Sequence, residues 1–190
     1  MNRIAKFEKV TFEQYKKDFL DCFDEEFLMD LKLLPFRLTS HDPCAVEEAI
    51  KKIYNNIKMP KRATRGSAGY DMFLPHNITI KTNEAIKIPT GIRAKMKEGW
   101  ILKEYPRSGH GFKFGVHLAN TVGIIDSDYY YSDNEGHILM KIVNDSILAK
   151  DINLNTGTAF CQGLFIPFGI TIDDNATGIR NGGFGSTNNR

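Results

Sequence analysis

The first 65 residues of this 190-residue chain contain no glycine, although the chain has 16 glycines in all. Glycine is the residue that tight turns and positions of positive φ use most readily. Its absence therefore favours helices in the first part of the chain. Every glycine lies at or after Gly66, which makes this shift in composition the clearest boundary in the sequence.

Cysteine is also scarce, and its spacing excludes two kinds of scaffold. The chain has three cysteines, Cys22, Cys44 and Cys161. They are widely spaced and form no CxxC pair, so that neither a disulfide framework nor a structural zinc site is indicated. A reducing compartment suits this pattern.

Long apolar runs and a strong charge of either sign are absent as well. No stretch approaches 18 apolar residues, and the first residues lack the apolar core of a signal peptide. The 25 basic and 23 acidic residues leave a net charge of +2. That charge provides no bulk attraction to nucleic acid. We expect a cytoplasmic protein that binds neither membranes nor nucleic acid directly.

Three common catalytic patterns do not occur. The five histidines form no HxxxH or HxE group, and the zinc-deaminase signature HxE…PCxxC is missing. The G-x-S-x-G elbow of serine hydrolases does not occur either. Zinc-dependent and serine-hydrolase chemistry are therefore disfavoured.

The glycine-free part predicts two amphipathic helices. Thr11 and Gln14 form a capping box at the start of the first helix. Asp42 followed by Pro43 gives the second an N-cap and a first-turn proline, and Pro60 ends it. The apolar faces comprise Phe12, Tyr15, Phe19 and Phe23 in the first helix and Val46, Ile50, Ile53 and Ile57 in the second. We expect both faces to be buried against the rest of the chain or another subunit.

The second part predicts short strands separated by turns. Apolar and polar residues alternate in NITIKTNEAIKIPTGIRAKM (77–96), and HILMKIVN (137–144) and AFCQGLFIPFGI (159–170) are further strand candidates. No helical pattern intervenes between them. An all-β barrel or sandwich is therefore the predicted fold class.

Two glycine-containing stretches have compositions that a β-barrel does not require. SAGYD (67–71) places Asp71 after a glycine turn, although an ordinary loop explains it equally well. PRSGHGFKFGV (106–116) places Arg107 and Ser108 beside glycines, which lets backbone N–H groups and a guanidinium approach an anion. Its spacing matches neither common phosphate-loop motif, so that taken alone it is a weak phosphate signal.

Two further stretches carry side chains suited to nucleotide chemistry. In LANTVGIIDSDYY (118–130), Asn120 can both donate to and accept from the edge of a planar base. Asp126 follows an apolar run and is placed as a general base or as the aspartate of a turn; Asp128 beside it would help to attract a cation. Gln162 lies in an apolar strand, where a buried amide needs a hydrogen-bond partner.

The chain's last eleven residues, RNGGFGSTNNR, suit a segment that orders over a ligand. Arg180, Phe184 and a Ser-Thr pair stand among three glycines, and no helix or strand can be built from them. A frayed terminus is the simpler alternative.

In this order and spacing, the stretches resemble the trimeric deoxyuridine triphosphatase (dUTPase) family. The five motifs are SAGYD (67–71), PRSGHG (106–111), NTVGIIDSDY (120–129), GTAFCQ (157–162) and RNGGFGST (180–187). The stretch NEGHI (134–138) resembles the version found in Gram-positive bacteria and their phages. The resemblance spans residues 60 to 190.

The resemblance implies a fold, an assembly and a reaction. The expected subunit is a jelly-roll β-barrel at 60–178, with an N-terminal helical extension at 1–59. An arm at 179–190 would close the active site of a neighbouring subunit in a homotrimer. The implied reaction is hydrolysis of dUTP at its α–β phosphoanhydride to dUMP and pyrophosphate with Mg²⁺, which limits uracil in DNA and supplies dUMP for thymidylate synthesis.

The resemblance also implies a role for each motif residue. Asp126 would activate the attacking water, and Asp71 would act indirectly through water bound to Mg²⁺. Tyr129 would pack under the deoxyribose and exclude a 2′-hydroxyl. The remaining substrate contacts would be Asn120, Gly123, Ile124 and Ile125 around uracil, Arg107, Ser108, Gly109 and Gln162 at the phosphates, and Arg180, Phe184, Gly185, Ser186 and Thr187 in the arm, with Phe184 stacking on the base.

The segment 130–136 is longer than the usual family turn, and residues 1–59 lie outside the family pattern. Two other functions remain open at this point. A dCTP deaminase shares the fold, although PRSGHG is not its usual motif. A phage-type regulator would bind a host protein, if the chain is phage-derived.

Overall fold

The structure, a computed structural model, describes residues 2–30, 43–145 and 150–183. Within these ranges the strands are β1 (Ala5–Lys9), β2 (Lys61–Arg62), β3 (Tyr70–Phe73), β4 (Ile78–Ile80), β5 (Ala85–Pro89), β6 (Ile92–Met96), β7 (Trp100–Pro106), β8 (Val116–Leu118), β9 (Gly123–Ile125), β10 (Leu139–Asn144), β11 (Ile152–Leu154) and β12 (Ala159–Pro167). The helices are α1 (Phe12–Cys22), α2 (Glu25–Asp30), α3 (Pro43–Asn55) and α4 (Ser108–Phe114), with a 3₁₀ helix at Ser127–Tyr131. None of the helices in these ranges is long and apolar enough to cross a membrane.

The strands pair entirely antiparallel in the described part of the chain. The largest sheet has the order β2-β3-β12-β7-β9, and a second has the order β5-β10-β8. Two-stranded ladders join β1 to β6 and β11 to β4. This arrangement agrees with the predicted all-β architecture, and each of the three predicted strand regions contains strands.

The first predicted helix begins where its capping signal places it. The Thr11 hydroxyl accepts a hydrogen bond from the backbone N–H of Gln14 at 3.2 Å, and α1 starts at the next residue after Thr11. The second helix, α3, begins at Pro43 and ends at Asn55, five residues before the predicted stop at Pro60. Asp42, its predicted N-cap, lies outside the described residues.

The predicted apolar faces of α1 and α3 are buried against the sheets. The buried members are Tyr15, Phe19, Phe23, Val46, Ile50, Ile53 and Ile57, and Phe12 packs against them half-buried. They belong to the same apolar cluster as barrel residues such as Ile88 and Ile142. The helices and the barrel therefore share one hydrophobic core.

The strand β1 is not predicted by any pattern in the sequence. It pairs with β6 from Ala5 opposite Met96 to Lys9 opposite Ile92. Its sequence, AKFEK, has one large apolar residue and three charged ones, so that only the tertiary pairing makes it a strand. Along the chain, the helical segment therefore lies between β1, which pairs with β6, and β2, which pairs with β3.

Candidate active site

A cavity of about 410 Å³ lies beside the segment 118–126, which contains the turn between β8 and β9. In the described sheets β8 pairs with β10 and β9 pairs with β7. Its lining contains seven of the predicted site residues, Asn120, Gly123, Ile124, Ile125, Asp126, Tyr129 and Arg180. Apolar residues of β8 and β10, among them Leu118 and Met140, supply much of the remaining wall. An apolar cavity with a few polar groups is the usual form of a small-ligand site.

The connection between β8 and β9 is a tight turn at Thr121. The N–H of Val122 donates to the carbonyl of Asn120 at 2.7 Å, and Thr121 adopts a φ of 66°. A β-branched residue rarely occupies this left-handed region, because its side chain crowds the backbone there. The surrounding structure therefore imposes the shape of the turn, as is common beside functional sites.

Asp126 stands where the strand β9 ends and the 3₁₀ helix begins. Its carboxylate forms an ion pair with the guanidinium of Arg180, which also donates to Asp128 at 2.8 Å. The two neighbouring carboxylates thus share one cation, which is a side chain from the C-terminal segment. Asp126 remains partly accessible from the cavity, since about 39% of its side chain is exposed.

Tyr129 is buried and fully hydrogen-bonded at the wall of the cavity. Its hydroxyl donates to the carbonyl of His137 at 2.9 Å and accepts from the amide of Asn134 at 2.8 Å. Burial raises the pKa of the Tyr129 phenol above its usual value. Gly183 lies so close to the ring that a Cβ there would come within 2.8 Å of a ring carbon. The ring therefore fixes where the C-terminal segment passes.

A second group of predicted residues lies outside the lining of this cavity. The guanidinium of Arg107 pairs with the carboxylate of Asp71 at 3.0 Å. Gln162 is opposite Asp71 in the pairing of β12 with β3, and its amide donates to a backbone carbonyl at 3.4 Å. Ser108 and Gly109 are exposed in the first turn of α4. The structure thus places the predicted phosphate contacts together, and apart from the cavity that contains Asp126.

The stretch that contains Arg107 includes a short helix, although the sequence showed no helical pattern between the strands. Residues 108–114 form α4, which has Arg107 as its N-cap and ends at Gly115, where φ is 66°. The N–H groups of His110 and Gly111 both donate to the Arg107 carbonyl. Two of the glycines therefore lie within a short helix, and the guanidinium is presented just before its first residue.

The residues that a metal ion could use are few in the described part of the chain. No group of three or more His, Cys, Asp or Glu side chains that could hold a metal is present there. Asp71 offers a carboxylate beside Arg107, and Mg²⁺ often binds through one carboxylate together with substrate phosphates and waters. This donor set fits an ion that is held mainly by a phosphorylated ligand.

Four predicted arm residues, Phe184, Gly185, Ser186 and Thr187, lie outside the described residues. The described part of the arm ends at Gly183, where it contacts Tyr129 of the same chain. A backbone hydrogen bond of 3.0 Å from Asp133 to Asn181 also fastens it.

Glu104 is a buried carboxyl group that the sequence analysis missed. It lines the cavity, is 1% exposed, and neither oxygen has a hydrogen-bond partner among the described residues. Burial raises the pKa of Glu104 to about 8, so that the group is mostly neutral at pH 7. Gly123 and Gly163 flank it on the neighbouring strands. The alternation along β7, which places Glu104 on the face of Leu102, is the signal that could have found it.

Comparisons with known proteins agree with these observations. A family model described as dUTPase matches residues 55–188. The deoxyuridine 5′-triphosphate nucleotidohydrolase of Lactococcus lactis subsp. lactis is 40% identical over 144 residues, which cover 74% of this chain and 95% of that protein.

Solved structures are similar as well. The crystal structure of the dUTPase from Streptococcus mutans matches with a TM-score of 0.56 and 37% identity, over 63% of this chain and 91% of that one. A dUTPase mutant from phage phi11 of S. aureus, which coordinates a structural Mg(II) ion, matches in fold with a TM-score of 0.54 and 20% identity, over 65% and 92% of the two chains.

Proposed function

This chain belongs to the dUTPase family, and from that premise we propose that it hydrolyses dUTP to dUMP and pyrophosphate. The matches confirm the family and the dUTPase-type barrel that the motifs predicted. The observation that carries the proposal is the cavity of about 410 Å³, which has Asn120 and residues 123–125 in its wall and Asp126 at its edge. In this cavity, space for a base lies next to a carboxylate that can activate water.

The part of the cavity wall formed by Asn120 and residues 123–125 would bind uracil. Asn120 and the backbone of 123–125 line the cavity, and they offer both donors and acceptors to the edge of a pyrimidine. The tight turn at Thr121 holds these groups in place before the ligand arrives. Tyr129 would pack against the sugar, because its ring lines the same cavity and both hydrogen bonds of its hydroxyl hold it there.

Asp126 would act as the general base of the reaction. Its carboxylate would take a proton from a water molecule as the water oxygen attacks the α-phosphorus. The bond from that phosphorus to the α–β bridging oxygen then breaks, and pyrophosphate leaves with the bridging oxygen. Arg180 pairs with Asp126, and nucleotide phosphates would compete for this guanidinium and leave the carboxylate available to water.

The phosphate contacts would come from a second subunit of a homotrimer. Arg107, Ser108, Gly109 and Gln162 lie apart from the cavity within one chain. A site assembled between subunits would bring them to the triphosphate, where a guanidinium and backbone N–H groups offset negative charge. When bound, Mg²⁺ would neutralise charge on the three phosphates, and Asp71 would hold it through water.

The end of the arm would complete the site. Phe184 would stack on uracil, and Gly185, Ser186 and Thr187 would contact the base and the phosphates. The glycine-rich sequence supports a segment that orders only over bound nucleotide, since ordering it costs conformational entropy. Arg180 would then exchange its two carboxylates for phosphate oxygens.

Pyrophosphate release tests the proposed function directly. Wild type and Asp126→Asn would be compared with dUTP, dTTP, dCTP and UTP in the presence of Mg²⁺. We expect release from dUTP alone, and its loss by roughly 10³-fold or more in the variant, which keeps the shape of Asp126 without the base. Equal release from all four nucleotides would contradict the assignment of Asn120 and residues 123–125 as the uracil-binding part of the cavity.

The two other functions have less support. The relatives are dUTP hydrolases, so a dCTP deaminase is not favoured. Among the residues that the structure describes, no specific contact favours a regulatory role through a host protein. We retain a cytoplasmic location as part of the proposal, because the substrate is an intermediate of nucleotide metabolism.

A further inference from the structure

We propose that Asp18, on the helical segment, positions Tyr129 through His137 and thereby sets how strongly the pocket prefers deoxyribose to ribose. The inference rests on the proposed function, because it assigns a role in the same nucleotide pocket. Asp18 does not line the cavity itself. It is a positioning residue, and it lies in the segment that has no counterpart in the five motifs.

The first step is a buried hydrogen bond between the helical segment and the barrel. His137 is completely buried, and its Nδ1 lies 2.5 Å from a carboxylate oxygen of Asp18, on α1. The other ring nitrogen, Nε2, accepts the backbone N–H of Gly91 at 2.8 Å. Nε2 therefore has no proton in this arrangement, and Nδ1–H donates to Asp18.

The pair is held from the side of α1 as well. The amide of Gln14, one turn earlier on the helix, donates to the same oxygen of Asp18 at 2.8 Å. Burial alone would raise the pKa of the Asp18 carboxyl, but the hydrogen bonds from His137 and Gln14 outweigh it and keep the pKa below its usual value. Asp18 is thus an ionised acceptor with a fixed orientation.

The second step leads from His137 into the nucleotide pocket. The carbonyl of His137 accepts the hydroxyl of Tyr129, and Asn134 braces that hydroxyl from the other side. The ring of Tyr129 lines the cavity and contacts Gly183 of the arm. A shift of His137 would therefore move the ring that contacts the arm and would pack against the sugar.

Two more contacts fasten the same loop to the first residues of the chain. The hydroxyl of Tyr130 donates to the carboxylate of Glu8 at 2.6 Å. The carboxylate of Glu135 accepts from the backbone N–H and the hydroxyl of Thr11, at 2.8 and 2.6 Å. The segment 130–136, which is longer than the usual family turn, and the adjoining His137 are thus held at three points by the segment before residue 20.

A purely structural role would not require this chemistry. A buried charged partner contributes little net stability compared with apolar packing of similar volume, because taking the charge out of water is costly. Its advantage is a directional hydrogen bond that fixes one ring orientation. Asp18 is therefore placed to define the geometry of the loop more than to hold the helix down.

The test compares variants of Asp18 with a control on the same helix. Asp18→Ala and Asp18→Leu remove the acceptor, and the leucine keeps α1 packed if the alanine variant unfolds. Asp18→Asn keeps an oxygen that can accept from both His137 and Gln14. Lys16→Ala breaks the exposed ion pair of α1 with Glu47 on α3, which has no contact with His137.

The decisive measurement is the ratio of kcat/KM for dUTP to kcat/KM for UTP. We expect this ratio to fall about tenfold in the alanine and leucine variants, since small displacements in a site cost up to about 100-fold. It should stay within about twofold of wild type in the asparagine and Lys16 variants. Simple destabilisation lowers the active fraction for both nucleotides equally, so an unchanged ratio in the alanine and leucine variants would overturn the proposal.

Hydrogen exchange separates this inference from the proposed function. We expect amides of 127–138 to exchange faster in Asp18→Ala or Asp18→Leu than in Lys16→Ala, whatever the enzyme hydrolyses. If wild type failed to hydrolyse dUTP, the proposed function would be wrong and this exchange would still decide the link from Asp18 to the loop. Equal exchange in all variants would refute that link.

Discussion

Glu104 and His76 are buried titratable residues whose charged forms both oppose folding. Glu104 has a carboxyl group without a hydrogen-bond partner, and burial raises its pKa to about 8. His76 packs edge-on against Phe19, Phe23 and Phe27, and burial lowers its pKa to about 4. We therefore expect these two groups to make the free energy of unfolding greatest at intermediate pH.

Replacement of Glu104 by leucine or glutamine should stabilise the protein at alkaline pH. The folded carboxyl holds its proton more tightly than the unfolded one, so its contribution is complete below about pH 4.5 and is lost as pH rises through about 8. The variants should therefore gain at most about 5 kcal/mol in the free energy of unfolding at high pH relative to low pH. Urea unfolding at pH 5 and pH 8.5 measures this, and equal gains at both pH values would contradict it.

Replacement of His76 by phenylalanine should reduce the loss of stability in acid. The pKa of the folded imidazole lies below that of the unfolded one, so the unfolded chain binds more protons as pH falls from about 6.5 to about 4. Wild type should lose at most about 3 kcal/mol from this group over that window. Melting curves of variant and wild type at pH 7 and pH 4.5 measure this loss. A difference in melting temperature between the two proteins that is the same at both pH values would contradict the prediction.

Gly183→Ala should weaken nucleotide binding. An added Cβ would approach the ring of Tyr129 to 2.8 Å, which displaces either the arm or the ring. We expect KM for dUTP to rise about tenfold, with a smaller change in kcat, because the contact concerns binding and closure. Gly169→Ala is the matched control on the same C-terminal segment, since a Cβ there meets nothing within 4 Å. Equal effects of the two substitutions would argue against the contact.

At the scale of elements, the start of α1 is joined to the loop that follows the candidate active site. Thr11 caps Gln14 of its own helix and binds Glu135 through both its backbone and its hydroxyl. Thr11 therefore ends the connection from β1 to α1 and also holds the loop that contains Glu135. This explains how a segment absent from the five motifs can contact the loop that follows the candidate active site.

Thr11→Ala should destabilise the protein by about 1–2 kcal/mol, since it removes both a helix cap and a side-chain partner of Glu135. Thr11→Ser keeps the hydroxyl and should lose less than about half of that amount. Denaturant unfolding of the two variants checks this. A serine variant as unstable as the alanine variant would show that the methyl group, rather than the hydroxyl, matters.

At the scale of the whole molecule, the separation of the two groups of site residues predicts a shared active site. Asp126 lines the cavity, whereas Arg107 pairs with Asp71 elsewhere in the same chain. If a neighbouring subunit supplies Arg107, two inactive variants can complement each other. Light scattering on the wild type would give the number of chains in the assembly.

Mixed assemblies of Asp126→Asn and Arg107→Ala should regain activity. In a random equal mixture of the two chains, about a quarter of the sites would combine an intact Asp126 with an intact Arg107 from another chain. We expect about that share of wild-type pyrophosphate release after the two proteins are refolded together. Refolding each variant alone is the control. If the mixture stays inactive, each site is complete within one chain.

Much of the fold could be predicted because its signals are local. The cap at Thr11 and the apolar spacing in α1 and α3 lie within a few residues of one another, and so does the alternation in β4, β5 and β6. The strand β1 and the helix α4 could not be predicted. The strand β1 forms because it pairs with β6, which is distant in sequence, and the glycines of α4 are compatible with a loop as well as with a short helix.

The site shows the same division. The motif order predicted that Asn120, Asp126 and Tyr129 would act together, and the structure places all three around one cavity. The sequence alone therefore determined the family and the barrel, and it placed these three residues within ten positions of one another, so that a local segment could bring them to one cavity. Only the tertiary structure revealed the carboxyl of Glu104 and the link from Asp18 to His137, because residues 119 positions apart meet only after the helices have packed on the barrel.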